Sequence, residues 1–248
     1  MNNRRKRILN EIGLTPIWKI KTDPSHCESV VKIIETNPNE LINTPLKGHA
    51  TSIGTSNNNP VDQMNWHQLK LAVSECIDCP LHQTRKNTVF GVGDEKADWL
   101  FVGEGPGARE DEIGEPFVGQ AGKLLGQMLA AIQLKRNDGV YIANIVKCRP
   151  PNNRNPASTE VNACEPYLRR QIKLIAPKLI IALGKVAAEN LLGRSDSLGS
   201  LRGKVHYYSD IPLVVTYHPA YLLRALPEKA QAWKDLCFAK ALMQSLAK

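Results

Sequence analysis

Four short apolar runs, separated by stretches with helical periodicity, limit what this chain can fold into more than any other feature of its sequence. They span residues 99–102, 140–146, 179–183 and 213–217. Each run is nearly continuous in apolar residues, which is typical of strands that are covered on both faces. Strands that alternate with helices along a chain usually pair in parallel. The pattern therefore predicts an α/β fold with four central parallel strands.

The first 66 residues do not share this pattern. Residues 51–59 consist almost wholly of Ser, Thr, Gly and Asn, and such a segment buries too little apolar surface to offset the entropy of ordering the chain. We therefore expect residues 1–66 to form an N-terminal extension with a flexible linker. Residues 67–248 would form one domain, which is within the usual size of a single core.

The charge of the chain favours an anionic partner. Lysine and arginine number 32 against 24 acidic residues, for a net charge of +8, so nucleic acid comes first and an anionic membrane second. No stretch of the sequence approaches the roughly 20 apolar residues that cross a bilayer. No apolar segment follows the basic N-terminus as it would in a secretion signal. We expect a cytoplasmic, nucleoid-associated protein that has no membrane partner.

A glycine-rich loop follows the first strand, at the sheet edge where open parallel sheets bind ligands. The segment G-E-G-P-G at residues 103–107 has backbone N–H groups that can approach a ligand closely. An ordinary turn between a strand and a helix can have the same composition. Phe117 lies further along in a polar loop, where its ring needs either the protein core or a stacked base as its partner.

Polar residues also mark the second and fourth strands. Asn144 lies inside an apolar run, where an unpaired buried amide costs about 1 to 3 kcal/mol. A neighbouring loop could satisfy it, and so could the Watson–Crick edge of a flipped pyrimidine, which an amide matches with one donor and one acceptor. His218 ends the fourth run and Arg224 follows at helical spacing. A lone histidine there is more often structural, but this pair would combine a proton donor with a phosphate-binding cation.

Four cysteines form two pairs that suit a metal site. Cys76 and Cys79 form a C-x2-C pair, and fifteen residues separate Cys148 from Cys164. The cytosol keeps thiols reduced, so metal ligands are a better interpretation than disulfides. Four thiolates fit either a [4Fe-4S] cluster or a tetrahedral zinc ion. The wide second pair differs from the C-x2-C knuckle of a zinc ribbon, which favours iron–sulfur.

The chain from about residue 76 to 236 resembles the family 4 uracil-DNA glycosylases, the iron–sulfur branch of their superfamily. The motifs that carry the resemblance occur in the family's order: C-x2-C-P at 76–80, G-E-G-P-G-x-x-E-D at 103–111, E-P-F-V-G-x-A-G at 115–122, A-N-x-V-K-C-R-P-P at 143–151, the C-x15-C spacing, and H-P-A-Y-L-L-R at 218–224. The resemblance implies an αβα sandwich with a central four-stranded parallel sheet. It also implies hydrolysis of the bond between uracil and deoxyribose in DNA.

The resemblance assigns roles to the residues at the sheet edge. Phe117 would stack on the extruded uracil and Asn144 would bond its Watson–Crick edge. Glu104 and Gly105 would lie near the attacking water. Glu110 would lie near the C5 edge of uracil, where a thymine methyl would have to fit. A structural [4Fe-4S] cluster would be held by Cys76, Cys79, Cys148 and Cys164.

The charges that develop during glycosidic cleavage suggest further roles. Negative charge grows on the leaving base, so the site needs a donor aimed at a uracil oxygen, and His218 is the candidate. Glu104 would position water or stabilise the cationic sugar. Uracil in single strands and in U·G pairs should be favoured, because it costs least to flip. The cations expected to hold DNA phosphates are Lys147, Arg149, Arg154 and Arg224.

Two comparisons within the superfamily narrow the expected reaction. One branch captures the sugar through a histidine ahead of the last cluster cysteine, whereas residues 150–158 of this chain contain none. We therefore expect this enzyme to release its products and turn over, without covalent capture of the sugar. The family 5 branch lacks an acidic residue in the first loop, so Glu104 indicates narrow specificity for uracil.

The N-terminal extension has a resemblance of its own. Residues 4–18 resemble the N-terminal peptide by which the psi subunit of bacterial DNA polymerase III holds the clamp loader, which would tether repair to replication. The alternative is a basic arm that adds nonspecific affinity for DNA.

Two other functions fit parts of this sequence. One is a non-catalytic nucleic-acid-binding module in which a structural four-cysteine zinc site staples the fold. The other is a nucleotide hydrolase that acts on free uridine compounds in the same pocket. Metal analysis would identify the first, and a uracil-containing oligonucleotide would separate the second.

Overall fold

A computed structural model of the chain describes residues 59–246. The peptide predicted at residues 4–18 and residues 51–58 of the predicted linker lie outside the described residues. The helices are α1 (Trp66–Glu75), α2 (Ala108–Ile113), α3 (Gln120–Ala131), α4 (Ser158–Ile175), α5 (Lys185–Leu192), α6 (Leu198–Leu201), α7 (Pro219–Leu222) and α8 (Lys229–Leu246). The strands are β1 (Val92–Gly93), β2 (Trp99–Gly103), β3 (Val140–Asn144), β4 (Leu179–Leu183), β5 (Val205–Tyr208) and β6 (Ile211–Thr216).

All six strands form one sheet in the order β1-β3-β2-β4-β6-β5. The four inner strands pair in parallel, and each of them lies within two residues of a strand predicted from the sequence. The prediction of a central four-stranded parallel sheet is therefore confirmed. Two antiparallel edge strands, β1 and β5, were not predicted. Both are short and lack a continuous buried run, so they leave no clear apolar signal in the sequence.

Helices cover both faces of the sheet. Successive residues of a strand point to opposite faces, so Phe101 packs in one apolar cluster and Val102 in the other. The Phe101 face is covered by α3 and α8, and the Val102 face by α4 and α5. This is the αβα sandwich that the family resemblance implied. Within residues 59–246, no helix has the length and apolar character needed to cross a membrane.

Local sequence signals explain where several helices begin and end. Asn65 accepts a hydrogen bond from the backbone N–H of Gln68, whose side chain accepts one from the N–H of Asn65, so a capping box starts α1. Pro219 supplies the fixed backbone angle of the first position of α7. Gly114 ends α2 in the left-handed conformation, with φ +83°, which glycine adopts without a steric penalty.

A buried polar network ties the end of β6 to α8. Thr216 Oγ1 donates to Asp235 Oδ2 at 2.8 Å, and Arg202 donates to both carboxylate oxygens of Asp235, at 2.7 and 3.1 Å. Burial raises the pKa of Asp235, although both partners stabilise its charged form. The network therefore fixes the end of β6, although burying the charged groups of Asp235 and Arg202 costs desolvation free energy.

We predict that Asp235→Ala lowers the free energy of unfolding by about 3 to 5 kcal/mol, because it leaves the Arg202 guanidinium without its counter-ion. The side chains of Arg202 and Asp235 are only 12% and 4% exposed. Urea denaturation would measure the loss. The matched control is Asp98→Ala, whose pair with Lys178 is about half exposed and should contribute less than about 1 kcal/mol. Equal losses in the two variants would contradict a buried network.

Candidate functional site

A cavity of about 830 Å³ opens where the four parallel strands end. Loops that follow β2, β3, β4 and β6 form its walls. Every residue proposed from the sequence for catalysis or base binding lines this cavity, together with two of the four proposed phosphate ligands. These residues are Glu104, Gly105, Glu110, Phe117, Asn144, Arg154, His218 and Arg224.

Gly103 makes room for the centre of the site. It pairs with Asn144 in the parallel register of β2 and β3. A Cβ atom on Gly103 would lie 2.5 Å from Asn144 Oδ1 and 2.7 Å from Phe117 Cζ, both closer than atoms can approach. Only glycine therefore lets the amide and the ring meet over the end of β2.

Asn144 carries an unsatisfied hydrogen-bond acceptor. The residue is 2% exposed, and its Oδ1 has no hydrogen-bond partner among residues 59–246. A buried acceptor without a partner costs about 1 to 3 kcal/mol. The unpaired Oδ1 lies at the wall of the cavity, where a ligand can supply the missing donor. The alternative raised from the sequence, a neighbouring loop as partner, is not observed in the described part of the chain.

Phe117 is held in a strained backbone conformation. Its φ of +56° lies in the left-handed region, which bulky residues rarely occupy. Two hydrogen bonds from Arg136 hold the backbone there, from Nη1 to the carbonyl of Phe117 at 2.7 Å and from Nη2 to that of Pro116 at 2.9 Å. A Cβ on Gly122 would collide with the Phe117 carbonyl, so α3 also needs glycine at this point.

The Phe117 ring lies next to the His218 ring, with centroids 5.5 Å apart and an interplanar angle of 33°. Sequence reasoning missed Arg136 as part of this arrangement. It lies in a polar stretch after α3, and nothing in its spacing indicates a contact with the Phe117 loop.

Glu110 organises the same loop from the other side. Its Oε1 accepts hydrogen bonds from the backbone N–H groups of Val118 and Gly119, at 3.0 and 2.9 Å. Gly107 leaves space for the carboxylate, because a Cβ there would lie 2.7 Å from Glu110 Oε2. Helix α2 and the loop that carries Phe117 are thereby joined through one carboxylate.

His218 is fixed as a neutral ring with a defined tautomer. Its Nδ1 lies 3.1 Å from the backbone N–H of Ala220, which can only donate, so Nδ1 is the acceptor and the ring proton lies on Nε2. Burial, with a smaller contribution from Arg224, lowers the pKa of His218 to about 4. The imidazole is therefore uncharged at neutral pH. Gly184 permits this position, since a Cβ there would lie 2.8 Å from His218 Cβ.

Glu104 is a half-buried carboxyl group in the cavity wall. Burial raises its pKa. Its carboxylate has no hydrogen-bond or ion-pair partner within the part of the chain that the structure describes. A carboxylate in such a place is available to bind water or to face a developing positive charge.

The four cations proposed from the sequence have different surroundings. Arg224 is exposed at the cavity. Arg154 also lines the cavity, where its guanidinium forms a bidentate pair with Glu160 at 2.6 and 2.8 Å. Arg149 lies outside the lining and donates to Asn153 at 2.8 Å.

The prediction that Lys147 holds a DNA phosphate is wrong. Its side chain is 1% exposed, and its Nζ donates to the backbone carbonyl of Asn144 at 2.9 Å and to Gln171 Oε1 at 2.6 Å. Burial lowers its pKa to about 8. The physical reason is that the chain stays buried beyond the end of β3, from Ile145 to Cys148, so the ammonium points into the protein.

The four predicted metal-ligating cysteines line one small cavity behind β3. They are Cys76, Cys79, Cys148 and Cys164. The guanidinium of Arg85 donates to Cys148 Sγ at 3.1 Å, and the backbone N–H of Lys147 to Cys164 Sγ at 3.5 Å. Burial raises the pKa of Cys148, and that of Cys164 to about 12, so thiolates are costly here unless a bound cation compensates their charge.

The sulfur atoms converge without forming a compact single-ion site. Between residues 59 and 246, no group of three or more His, Cys, Asp or Glu side chains is arranged to hold one metal ion. The donor set, four cysteines around a shared cavity, nevertheless fits a larger cationic group that binds each thiolate through a separate metal atom.

Two tyrosines complete the cavity rim. Tyr217 and Tyr221 stack with ring centroids 5.3 Å apart and an interplanar angle of 18°. Only the turn between β6 and α7 brings their rings together.

Comparison with known proteins agrees with this arrangement. Residues 90–241 match the uracil DNA glycosylase superfamily. The chain is 45% identical over 181 residues to the type-4 uracil-DNA glycosylase of Pyrobaculum aerophilum, covering 70% of this chain and 92% of the relative. It is 47% identical over 159 residues to that of Archaeoglobus fulgidus, covering 61% and 79%. With that of Sulfurisphaera tokodaii it shares 46% over 164 residues, covering 63% and 74%. The chain belongs to the uracil DNA glycosylase superfamily and, within it, to the type-4 uracil-DNA glycosylases.

Proposed function

We propose that this protein is a uracil-DNA glycosylase, which flips uracil out of DNA, hydrolyses its N-glycosidic bond and leaves an abasic site for base excision repair. One observation carries the proposal. The buried, unpartnered Oδ1 of Asn144 lies beside the Phe117 ring at the wall of a cavity, in a chain that belongs to this enzyme family.

Uracil supplies what the Asn144 amide lacks. The N3–H group of the base can donate to Oδ1, while the amide N–H can donate to the O4 oxygen. The flat Phe117 ring offers a face on which the extruded base stacks. Cytosine has an acceptor at N3 and a donor at C4, so it would present the opposite pattern to the same amide.

Glu110 is proposed to act near the C5 edge of uracil through the loop that it holds. Its hydrogen bonds to Val118 and Gly119 fix the backbone directly after Phe117. A loop fixed on that side leaves little freedom for the wall to move back from a thymine methyl group.

His218 is proposed to donate a hydrogen bond from Nε2 to a uracil oxygen. Negative charge develops on the base as the glycosidic bond breaks, and a donor placed there in advance stabilises the transition state more than the ground state. Because the ring is neutral and Nδ1 is occupied by the Ala220 N–H, the Nε2 proton is available without prior protonation.

Glu104 is proposed to act on the sugar side of the glycosidic bond. Its carboxylate would orient the attacking water, with Gly105 beside it in the cavity wall, and would stabilise the positive charge that develops on the sugar. In its ionised form it favours the cationic sugar electrostatically even if it removes no proton in the transition state.

Phosphate binding is proposed for Arg149, Arg154 and Arg224, without the buried Lys147. Of these, Arg224 is exposed at the cavity without a described ion-pair partner. Arg154 would keep its pair with Glu160, so its guanidinium enters the interface already oriented. Binding should weaken as salt rises, because each phosphate contact releases counter-ions.

We further propose a structural [4Fe-4S] cluster held by Cys76, Cys79, Cys148 and Cys164. A zinc ion binds each sulfur at about 2.3 Å and so draws all four closely together, whereas a cluster binds each thiolate through a different iron. The C-x15-C spacing of Cys148 and Cys164, wider than the C-x2-C knuckle of a zinc ribbon, favours the cluster. When bound, it cross-links the segment after α1, the segment after β3 and helix α4.

Residues 4–18 remain a proposed tether to the replicative clamp loader on their sequence resemblance alone. A basic arm with nonspecific affinity for DNA is the other explanation for the same residues.

We predict that Asn144→Ala and His218→Ala each reduce cleavage by at least about a hundredfold, the scale expected when a base-reading or transition-state group is removed. The assay incubates a uracil-containing oligonucleotide with the protein and reveals abasic sites with alkali. The matched controls are Asn190→Ala and His67→Ala, both exposed positions outside the cavity, which should keep normal rates. Near-normal rates for Asn144→Ala and His218→Ala would remove the site assignment. A wild-type protein that cleaves only free uridine compounds would instead support a nucleotide hydrolase.

The pH dependence should reflect Glu104. Its raised pKa means that the carboxylate gains a proton, and activity falls, at a higher pH than for an ordinary glutamate. His218 stays neutral down to about pH 4 and so does not limit the same range. Glu104→Gln should lower kcat and remove this acid limb from a plot of kcat/KM against pH. An unchanged acid limb in Glu104→Gln would assign the titration to another group.

Purified protein should contain iron and acid-labile sulfide, and Cys164→Ser should lose most of both. Elemental analysis and visible absorbance measure this independently of activity. The matched control is Cys27→Ser in the N-terminal extension, which should retain full iron. Stoichiometric zinc in anaerobically prepared wild-type protein would overturn the cluster and support a zinc-stapled fold.

A further inference from the structure

Two buried polar side chains lie behind the strand that ends at Asn144. Lys147 Nζ donates to the backbone carbonyl of Asn144 at 2.9 Å and to Gln171 Oε1 at 2.6 Å. Gln171 is fully buried, and its Nε2 donates to the backbone carbonyl of Phe90 at 2.9 Å. Polar groups are costly in the interior unless they are hydrogen-bonded. Lys147 and Gln171 meet this condition by forming one continuous bridge from Asn144 to Phe90.

The bridge spans the point where the pairing of β1 with β3 ends. Val92 pairs with Ile142 in antiparallel register, and β1 begins at Val92. If the same register continued for two more residues, Phe90 would lie opposite Asn144. The carbonyls of Phe90 and Asn144 are instead connected through the side chains of Gln171 and Lys147. The bridge therefore takes the place of a rung of the sheet at the last residue of β3.

The backbone around Asn144 is thereby held on both sides. Towards β2, the N–H of Ile145 donates to the carbonyl of Gly103 at 2.9 Å, so the parallel ladder continues past Asn144. Towards β1, Lys147 Nζ holds the Asn144 carbonyl. The side-chain Oδ1 of Asn144 has no hydrogen-bond partner within the described range 59–246. Its direction is therefore set by the backbone and by packing.

We propose that Lys147 and Gln171 are positioning residues for base recognition, whose bridge holds the backbone of Asn144 so that its amide meets the uracil in the correct orientation. The inference rests on the proposed function. Neither side chain lines the cavity that Asn144 lines, so both would act through Asn144. A displacement of about 1 Å at a reacting or reading group can cost roughly a hundredfold in rate, which gives such a bridge a measurable effect.

The test begins with Gln171→Met, which keeps a side chain of similar length and removes both of its hydrogen bonds. Gln171 is the first choice because Lys147 adjoins Cys148, a proposed cluster ligand. Single-turnover cleavage of a uracil-containing oligonucleotide at saturating protein should slow roughly tenfold to a hundredfold, and Lys147→Met should slow it similarly. The matched control is Ile175→Ala, at a buried apolar position one turn further along α4. This variant should lower the midpoint of thermal unfolding and keep the wild-type rate.

Combination with Asn144→Ala separates positioning from a general structural role. A bridge that acts through Asn144 has no amide left to position in that background, so Asn144→Ala/Gln171→Met should cleave no more slowly than Asn144→Ala alone. Independent losses would multiply in the double variant, and that result would overturn the inference. A wild-type rate in Gln171→Met, or an equal loss of rate in Ile175→Ala, would overturn it as well.

Cleavage by the full-length wild-type protein is measured in parallel. If the wild-type protein leaves the oligonucleotide intact, the proposed glycosylase activity is refuted and the inference with it. Normal cleavage by the wild-type protein, together with losses that multiply in the double variant, would refute only the positioning role of Lys147 and Gln171.

Discussion

The candidate site depends on glycine at position 103, because no larger residue would leave room for its neighbours. The parallel pairing of β2 with β3 sets this residue beside Asn144, and any Cβ would strike both the amide oxygen and the Phe117 ring. Because the strands are parallel, their ends meet at one edge, and loops from distant parts of the chain converge there. The same demand for close approach recurs at Gly107, Gly122 and Gly184, each of which admits a functional group or its loop.

Burial gives the polar groups of the site their chemical character. The same exclusion of water leaves Asn144 Oδ1 without a partner, keeps His218 neutral and raises the pKa of Glu104. Each effect costs folding free energy on its own. Together they produce a cavity that contains an unpaired acceptor on Asn144, a hydrogen-bond donor on His218 and the carboxylate of Glu104. Uracil attached to a sugar fits that combination, and the match with the type-4 family points to the same substrate.

Rigid support behind the cavity keeps these groups in place. Arg136 and Glu110 hold the Phe117 loop from two sides, while the Asp235 network fixes the end of β6 next to His218. Lys147 links the backbone carbonyl of Asn144 to Gln171 and lies beside the cysteine cavity. Interaction with Cys148 and Cys164 opposes the effect of burial, which lowers the pKa of Lys147.

The sequence by itself determined the α/β class, the four parallel strands, the sheet edge that binds a ligand and the residue types at the cavity, because periodicity and motifs are local properties of the chain. Tertiary structure decided the rest. Burial of the chain after β3 turned Lys147 inward, the Arg136 clamp came from a polar stretch without a motif, and a backbone N–H fixed the His218 tautomer. The edge strands and the tyrosine stack likewise arise from contacts that no sequence period encodes. Such contacts join residues far apart in the chain or at a specific turn, so only the folded arrangement can specify them.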